Sequence, residues 1–260
     1  MKNIREISAA AAVKIKYALC DIDGTLTTDG KLTKEAFGAL WDLSRAGINV
    51  IPVTGRPAGW CDLIARQWPV AAVVGENGAF AMYLKEGLLT VMRHREAASD
   101  AGSRLEALRE KVLSRIPQAR VAGDQFCRWY DIAFDFAETP PYLGMDTARQ
   151  IRDICISQGA QAKISSIHVN AWYGNYDKLG MSLLCLNELF NEPSPKESVV
   201  FFGDSPNDEP MFEYFPISVG VANIADFTDM LEYPPAYVTK ERDGGGFAEA
   251  AGILLKAAGH

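Results

Sequence analysis

The chain has 260 residues, 48% of them hydrophobic and 23% charged, enough apolar material for one large domain or two modest ones with real cores. A formal net charge of -7 and a sequence pI near 5.1 argue against a nucleic-acid or anionic-membrane surface, so any anionic ligand has to be captured locally. No apolar run approaches the roughly 18 residues of a membrane span. The opening MKNIREISAAAAVKIKYAL lacks the apolar core of a signal peptide, and five cysteines without a CxxC pair suggest neither a disulfide framework nor a zinc site, so a cytoplasmic protein is expected.

In chain order, KYALCDID reads as a buried strand, TKEAFGALWDLSRAG as a helix capped by Thr33 and stopped at Gly47, and INVIPVTG as a second strand. RPAGWCDLIARQW is a second helix and VAAVVGENG a third strand. Unbroken apolar strands alternating with helices predict a Rossmann-like, doubly wound parallel sheet covered on both faces, with ligands beyond the carboxyl ends of its strands. After Ala79 the pattern changes. FAMYLKEGLLTVMRH is a hairpin around Lys85, Glu86 and Gly87, and the segment from Ser99 to Pro117 is a helix with Leu105, Leu108 and Val112 inward. RWYDIAFDF alternates, with Tyr130, Ile132, Phe134 and Phe136 on one face and Asp131 and Asp135 on the other, the mark of a half-exposed antiparallel sheet. The helix MDTARQIRDICISQG and the strands AKIS and IHVNAW complete an inserted α+β unit. The α/β pattern returns with YDKLGMSLLCLNELF, SVVFFGD, PNDEPMFEYF, ISVGVA, AYVT and GGGFAEAAGILLKAA. These boundaries predict a discontinuous core over 1–83 and 173–260 around an insert over 84–172. The insert is close to neutral while the core holds most of the negative charge, a hint that the insert faces an anion.

Four signals converge, three of them at strand ends and one at the start of a helix. In Asp21-Ile22-Asp23-Gly24-Thr25 alternation points both acids the same way, so both can reach one centre, unless the pair only caps a turn. Thr54 in PVTGRP can donate to a phosphate oxygen, with Gly55 letting the backbone come close, although Thr-Gly is also ordinary turn chemistry. Lys178 opens the helix that re-enters the core, where the plainer reading is a solvated lysine. In FFGDSPND, Asp204 and Asp208 flank a loop suited to an anion or a metal, with Asn207 as its organiser; a capped helix is the alternative. The order of the four along the chain is far more specific than any one of them.

In that order the sequence resembles the haloacid dehalogenase superfamily of phosphotransferases. The insertion point after VVGENGAF is similar to the branch with a large α/β cap (C2B-type, subfamily IIB). Within it the archaeal-type phosphoglycolate phosphatases look nearest through GENGAFAM, RWYDIAFDF and GDSPNDEPMF, beside sugar-phosphate phosphatases and phosphomannomutases. The resemblance implies a phosphatase for a small phosphate ester. Asp21 would attack phosphorus and form an aspartyl-phosphate, and Asp23 would serve as acid and then base. Thr54, Gly55, Lys178 and Asn207 would lie at the phosphate. Mg²⁺ would be held by Asp21, the Asp23 main-chain carbonyl and Asp204, with Asp208 in support. An Asp at position 23 fits an ester substrate, whose leaving alkoxide needs a proton. Candidates to meet the rest of the substrate are Asn77 and Gly78, alternatively a plain turn, together with Arg128, His168 and Asn170; His168 is equally readable as a strand histidine bonded to backbone. Trp172 and Tyr173 are expected to pack at the hinge. A hexose phosphomutase and a catalytically idle binding module are the alternative functions. No nucleic-acid or membrane partner is expected, and oligomeric state is left open.

Overall fold

A computed structural model describes residues 1–97 and 101–260. Six parallel strands form the main sheet, in the order Lys2–Asn3, Tyr237–Val238, Ser218–Gly220, Val199–Gly203, Tyr17–Cys20 and Asn49–Pro52. The reason for their unbroken apolar sequence is visible in their alternation. Tyr17 and Leu19 face a cluster with Met181, Cys185 and Phe212, while Ala18 and Cys20 face another with Leu40 and Phe247. Helices Lys178–Phe190 and Glu209–Tyr214 cover the first face, and Lys34–Arg45 and Asp243–Ala258 the second. Tyr17–Cys20 lies between Asn49–Pro52 and Val199–Gly203, which the chain reaches in opposite directions. This is the switch point of a doubly wound sheet, and the crevice beyond its carboxyl end carries Asp21, Thr54 and Asp204.

A single bridge, Val53 to Val74, extends this sheet to Val73–Gly75, which pairs antiparallel with the hairpin Phe80–Lys85 and Leu88–Arg93. Glu86 and Gly87 both adopt positive φ at the expected turn, the backbone of a two-residue hairpin loop. The hairpin pairs from Phe80 with Arg93 to Lys85 with Leu88, so the expected boundary at 84 would sever it. A separate hydrophobic cluster begins at Ala101 and ends at Tyr173.

That cluster lies between helices Gly102–Arg115 and Gly144–Ser157 and a four-stranded antiparallel sheet, ordered Gln161–Ile164, His168–Trp172, Asp131–Asp135 and Arg120–Val121. The first positions of the helix expected from Ser99 lie outside the described residues. Ile132, Phe134 and Phe136 enter the cluster as their alternation predicts. Tyr130 does not: it joins the core cluster beside Phe80. The second face of this sheet is also not half-exposed. Asp131, Asp135, His168 and Asn170 are all buried: Arg128, which pairs with Asp131, reaches the Gly55 carbonyl of the core, while Asp135 is covered by the insert's own Glu138 and Thr139 amides. Among the described residues no helix is long and apolar enough to cross a membrane.

Candidate active site

Three carboxylates meet where the first and fourth signals converge. Asp21, Asp204 and Asp208 are buried, and each offers an oxygen within 4.8 Å of the others. Gly24 is required beside them: it has a φ of 80°, and a Cβ there would fall 2.4 Å from Asp204 Oδ2. Asp204 accepts from Thr25 Oγ1 at 3.4 Å and from Asn223 Nδ2 at 3.2 Å, and Asp208 Oδ2 accepts the backbone amide of Asp204 at 3.1 Å. Lys178 is not solvated. Its ammonium bridges Asp21 Oδ1 and Asp208 Oδ1, both at 2.7 Å. Burial works against its charge, but Asp208 and Asp21 more than offset this and raise its pKa.

Burial pushes the Asp21 carboxyl up to about 7, with Asp208 and Asp23 adding to the rise and Lys178 opposing it. Asp204 is raised well above the usual carboxylate range, first by burial and then by Asp21 and Asp208. One ammonium does not balance three acids packed this closely, and the set is the hard-oxygen donor cluster that a divalent cation fits.

Asp23 is excluded from this cluster and turned toward the insert. Arg56 grips its carboxylate twice, Nε to Oδ2 and Nη2 to Oδ1, each at 2.8 Å. The same guanidinium reaches Glu138 at 2.7 Å and Asp124 at 3.2 Å, and stacks on Trp60 with 4.2 Å from Cζ to the ring centroid. Its backbone amide donates to Thr54 Oγ1 at 3.0 Å. The main-chain carbonyl of Asp23, expected as a metal ligand, accepts from Ser166 Oγ of the insert at 3.1 Å. Sequence reading missed Arg56, Glu138, Asp124 and Ser166. The one available signal was the arginine directly after Thr54-Gly55.

The Glu76-Asn77-Gly78 stretch has positive φ throughout. Glu76 Oε1 accepts the amides of Ala58 at 3.0 Å and Trp129 at 2.9 Å, and Oε2 accepts that of Tyr130 at 2.6 Å, so a core carboxylate pins the insert's chain. Burial, then Asp131, pushes this carboxyl up to about 8 against the pull of the Trp129 and Tyr130 amides. Gly78 has a φ of 106°, and a Cβ on it would lie 2.0 Å from the carbonyl oxygen of Asp177. It therefore lets the backbone just before Lys178 pass. Asn77 lies beside Gly55, where a Cβ would meet its amide nitrogen at 3.1 Å, and that buried nitrogen has no hydrogen-bond partner among the described residues.

The insert's candidates are engaged by protein. Arg128 donates to the Gly55 carbonyl at 2.8 Å, to Asp131 at 2.8 Å and to Asp124 at 3.1 Å. Asn170 donates to Asp131 at 3.0 Å. The His168 ring bonds to Glu138 at 2.9 Å, so the reading of a histidine bonded to backbone does not hold for its imidazole. Asn207 accepts from the Ser205 hydroxyl at 2.8 Å, as a loop organiser does. Trp172 stacks on Tyr176 with centroids 5.8 Å apart, and Tyr173 packs under Arg104.

Comparison with known proteins places the chain by family and fold. The chain is 26% identical over 247 residues to a phosphoglycolate phosphatase of Pyrobaculum islandicum, covering 94% of this chain and 97% of that one. It shares its fold with a Thermoplasma acidophilum protein of known structure (TM-score 0.71, 19% identity, 92% and 98% of the two chains). A sugar phosphatase of HAD subclass IIB superposes with a TM-score of 0.61 at 15% identity over 92% and 99% of the two chains. The profile described as haloacid dehalogenase-like hydrolase matches residues 18–111 and 180–249, which take in most of the parallel-sheet core and the start of the insert, and the chain belongs to that family.

Proposed function

We propose that this protein is a Mg²⁺-dependent phosphatase that hydrolyses a small phosphorylated metabolite, a sugar phosphate or a phosphoglycolate-like acid, through an aspartyl-phosphate on Asp21. The observation that carries this reading is the separation of the two neighbouring acids. Asp21 lies in a buried carboxylate cluster with Lys178, and Asp23 is held outside it by Arg56. Phosphoryl transfer needs both roles at once, a nucleophile in line with the leaving oxygen and a carboxyl able to give that oxygen a proton.

In the first step the Asp21 oxygen forms a bond to phosphorus as the bond to the leaving oxygen breaks, and Asp23 transfers its proton to that oxygen. In the second, Asp23 takes a proton from water, whose oxygen bonds to phosphorus and releases Asp21. Lys178 has three donors, of which Asp21 and Asp208 accept two, and the third is available to a phosphoryl oxygen with the Thr54 hydroxyl. Arg56 fixes the Asp23 carboxylate in a two-point grip that aims it at the leaving group. The insert's buried face excludes bulk water. Asp21, Asp204 and Asp208, with the room left by Gly24, fit a hard divalent ion, which when bound would neutralise the phosphoryl oxygens and let the acids stay ionised. The relative's name and the fold neighbour's description both specify phosphate esters, which supports this reaction class.

The test is phosphate release from p-nitrophenyl phosphate and from a panel of phosphorylated metabolites, with Mg²⁺. Isomerisation of a hexose phosphate without release would instead show a mutase. No turnover of any ester would leave a binding module.

A further inference from the structure

The leaving-group oxygen must come within hydrogen-bond reach of the Asp23 carboxyl. The cavity lined by Asp23 has a volume of about 270 Å³ between core and insert, and its polar walls are Asp23, Thr27, Asp29, Arg56, Glu138 and Tyr142. With Asp23 carrying the proton that it gives in the first step, the cavity still holds two carboxylates, Asp29 and Glu138, against one guanidinium. That guanidinium is already committed, at 2.8 Å to Asp23, 2.7 Å to Glu138 and 3.2 Å to Asp124. A substrate carboxylate that took Arg56 would displace one of these acids and leave it unpaired in the same partly buried space, at a net cost.

The insert's basic side chains nearest the cavity offer no substitute. Arg128 is fully buried and bound to Asp131 and Asp124. His168 is bound to Glu138, and that contact, with Arg56, holds the Glu138 carboxyl down at about 2, so it is ionised at neutral pH. Lys163 stands opposite Asn170 in the insert's sheet, but it lines a different cavity with Asn207 and Glu209 that Asp23 does not reach. Carboxylates with unused lone pairs are in contrast good acceptors for hydroxyl donors.

From this balance we infer that the enzyme releases an uncharged, hydroxyl-bearing leaving group, and that Glu138 with Asp29 discriminates against one carrying a carboxylate. The inference rests on the phosphatase reading above and narrows it toward sugar-phosphate-like esters.

The experiment compares kcat/KM within pairs that differ only by CH2OH against COO⁻: glycerol 3-phosphate with 3-phosphoglycerate, and 2-hydroxyethyl phosphate with 2-phosphoglycolate. The alcohol of each pair should be favoured at least about tenfold. Glu138→Gln, and separately Asp29→Asn at the rim, should shrink that ratio roughly threefold or more by removing a like charge. Equal or faster turnover of the acids overturns the inference, as does a ratio untouched by both substitutions. An acid preference that disappears in Lys163→Ala would move the leaving group to the second cavity and overturn it too. No release from any ester, p-nitrophenyl phosphate included, would sink the phosphatase reading as well, whereas release with an acid preference sinks this inference alone.

Discussion

Gly78→Ala separates two effects that a glycine at positive φ usually confounds. Its φ of 106° carries a penalty of about 1–2 kcal/mol for any L side chain, which the Gly87→Ala control at φ 78° shares with nothing within 4 Å of its Cβ. At Gly78 the added Cβ also falls 2.0 Å from the Asp177 carbonyl oxygen, where an ordinary contact is about 3.5 Å. The neighbour is backbone, so no rotamer change relieves it, and the start of the Lys178 helix must retreat by about 1 Å or more. Lys178 holds Asp21 and Asp208 at 2.7 Å, and a retreat of that size stretches both bonds out of range. Gly78→Ala should therefore lose about 3 kcal/mol in urea denaturation, against about 1 kcal/mol for Gly87→Ala. Phosphate release should fall roughly 100-fold in the first and stay near wild type in the second. Equal stabilities for the two variants, or full activity in Gly78→Ala, would refute the reasoning.

Other outcomes follow from the same contacts. Asp204→Asn should weaken Mg²⁺ binding in calorimetry by at least about tenfold, since it removes one of three anionic ligands; unchanged affinity would take Asp204 out of the ligand set. Chelation should stop turnover of the wild-type protein and added Mg²⁺ restore it. The Glu138 carboxyl is lowered first by its bond to His168 and then by Arg56, to about 2. Because the folded value lies below the ordinary one, the stabilisation is fully present above the ordinary carboxylate range and is lost as pH falls toward 2. Urea midpoints should accordingly drop more steeply for wild type than for Glu138→Gln between about pH 5 and about pH 3, and parallel profiles would count against the contact.

What could be read from the sequence was what is local. A buried strand ending in acids, a Thr-Gly turn and a helix opened by lysine each occupy a few consecutive residues, so Asp21, Thr54, Lys178 and Asp204 can be named as candidates from sequence, and the structure brings Asp21, Lys178 and Asp204 together. The seam between core and insert was not legible. Arg56 meets Glu138 and Asp124 only after the chain has left the core and returned over it. The alternation of Asp131 and Asp135 with Ile132 and Phe134 is the same whether the acidic face meets water or a second layer of protein, so burial of that face had no sequence signature. The hairpin 80–93 and the insert's strands share one antiparallel pattern, which concealed that the hairpin extends the core. The tie through Glu76 has no sequence signature, because its partners are backbone amides, which every residue but proline supplies.

The central claim is a covalent phosphoryl group on Asp21. Borohydride added during turnover reduces an aspartyl-phosphate to homoserine, which peptide mass spectrometry locates. The account predicts the reduced product at position 21, only with substrate and Mg²⁺ present, and its disappearance in Asp21→Asn together with turnover. Reduction at another carboxylate, or phosphate release by Asp21→Asn at the wild-type rate, would contradict it.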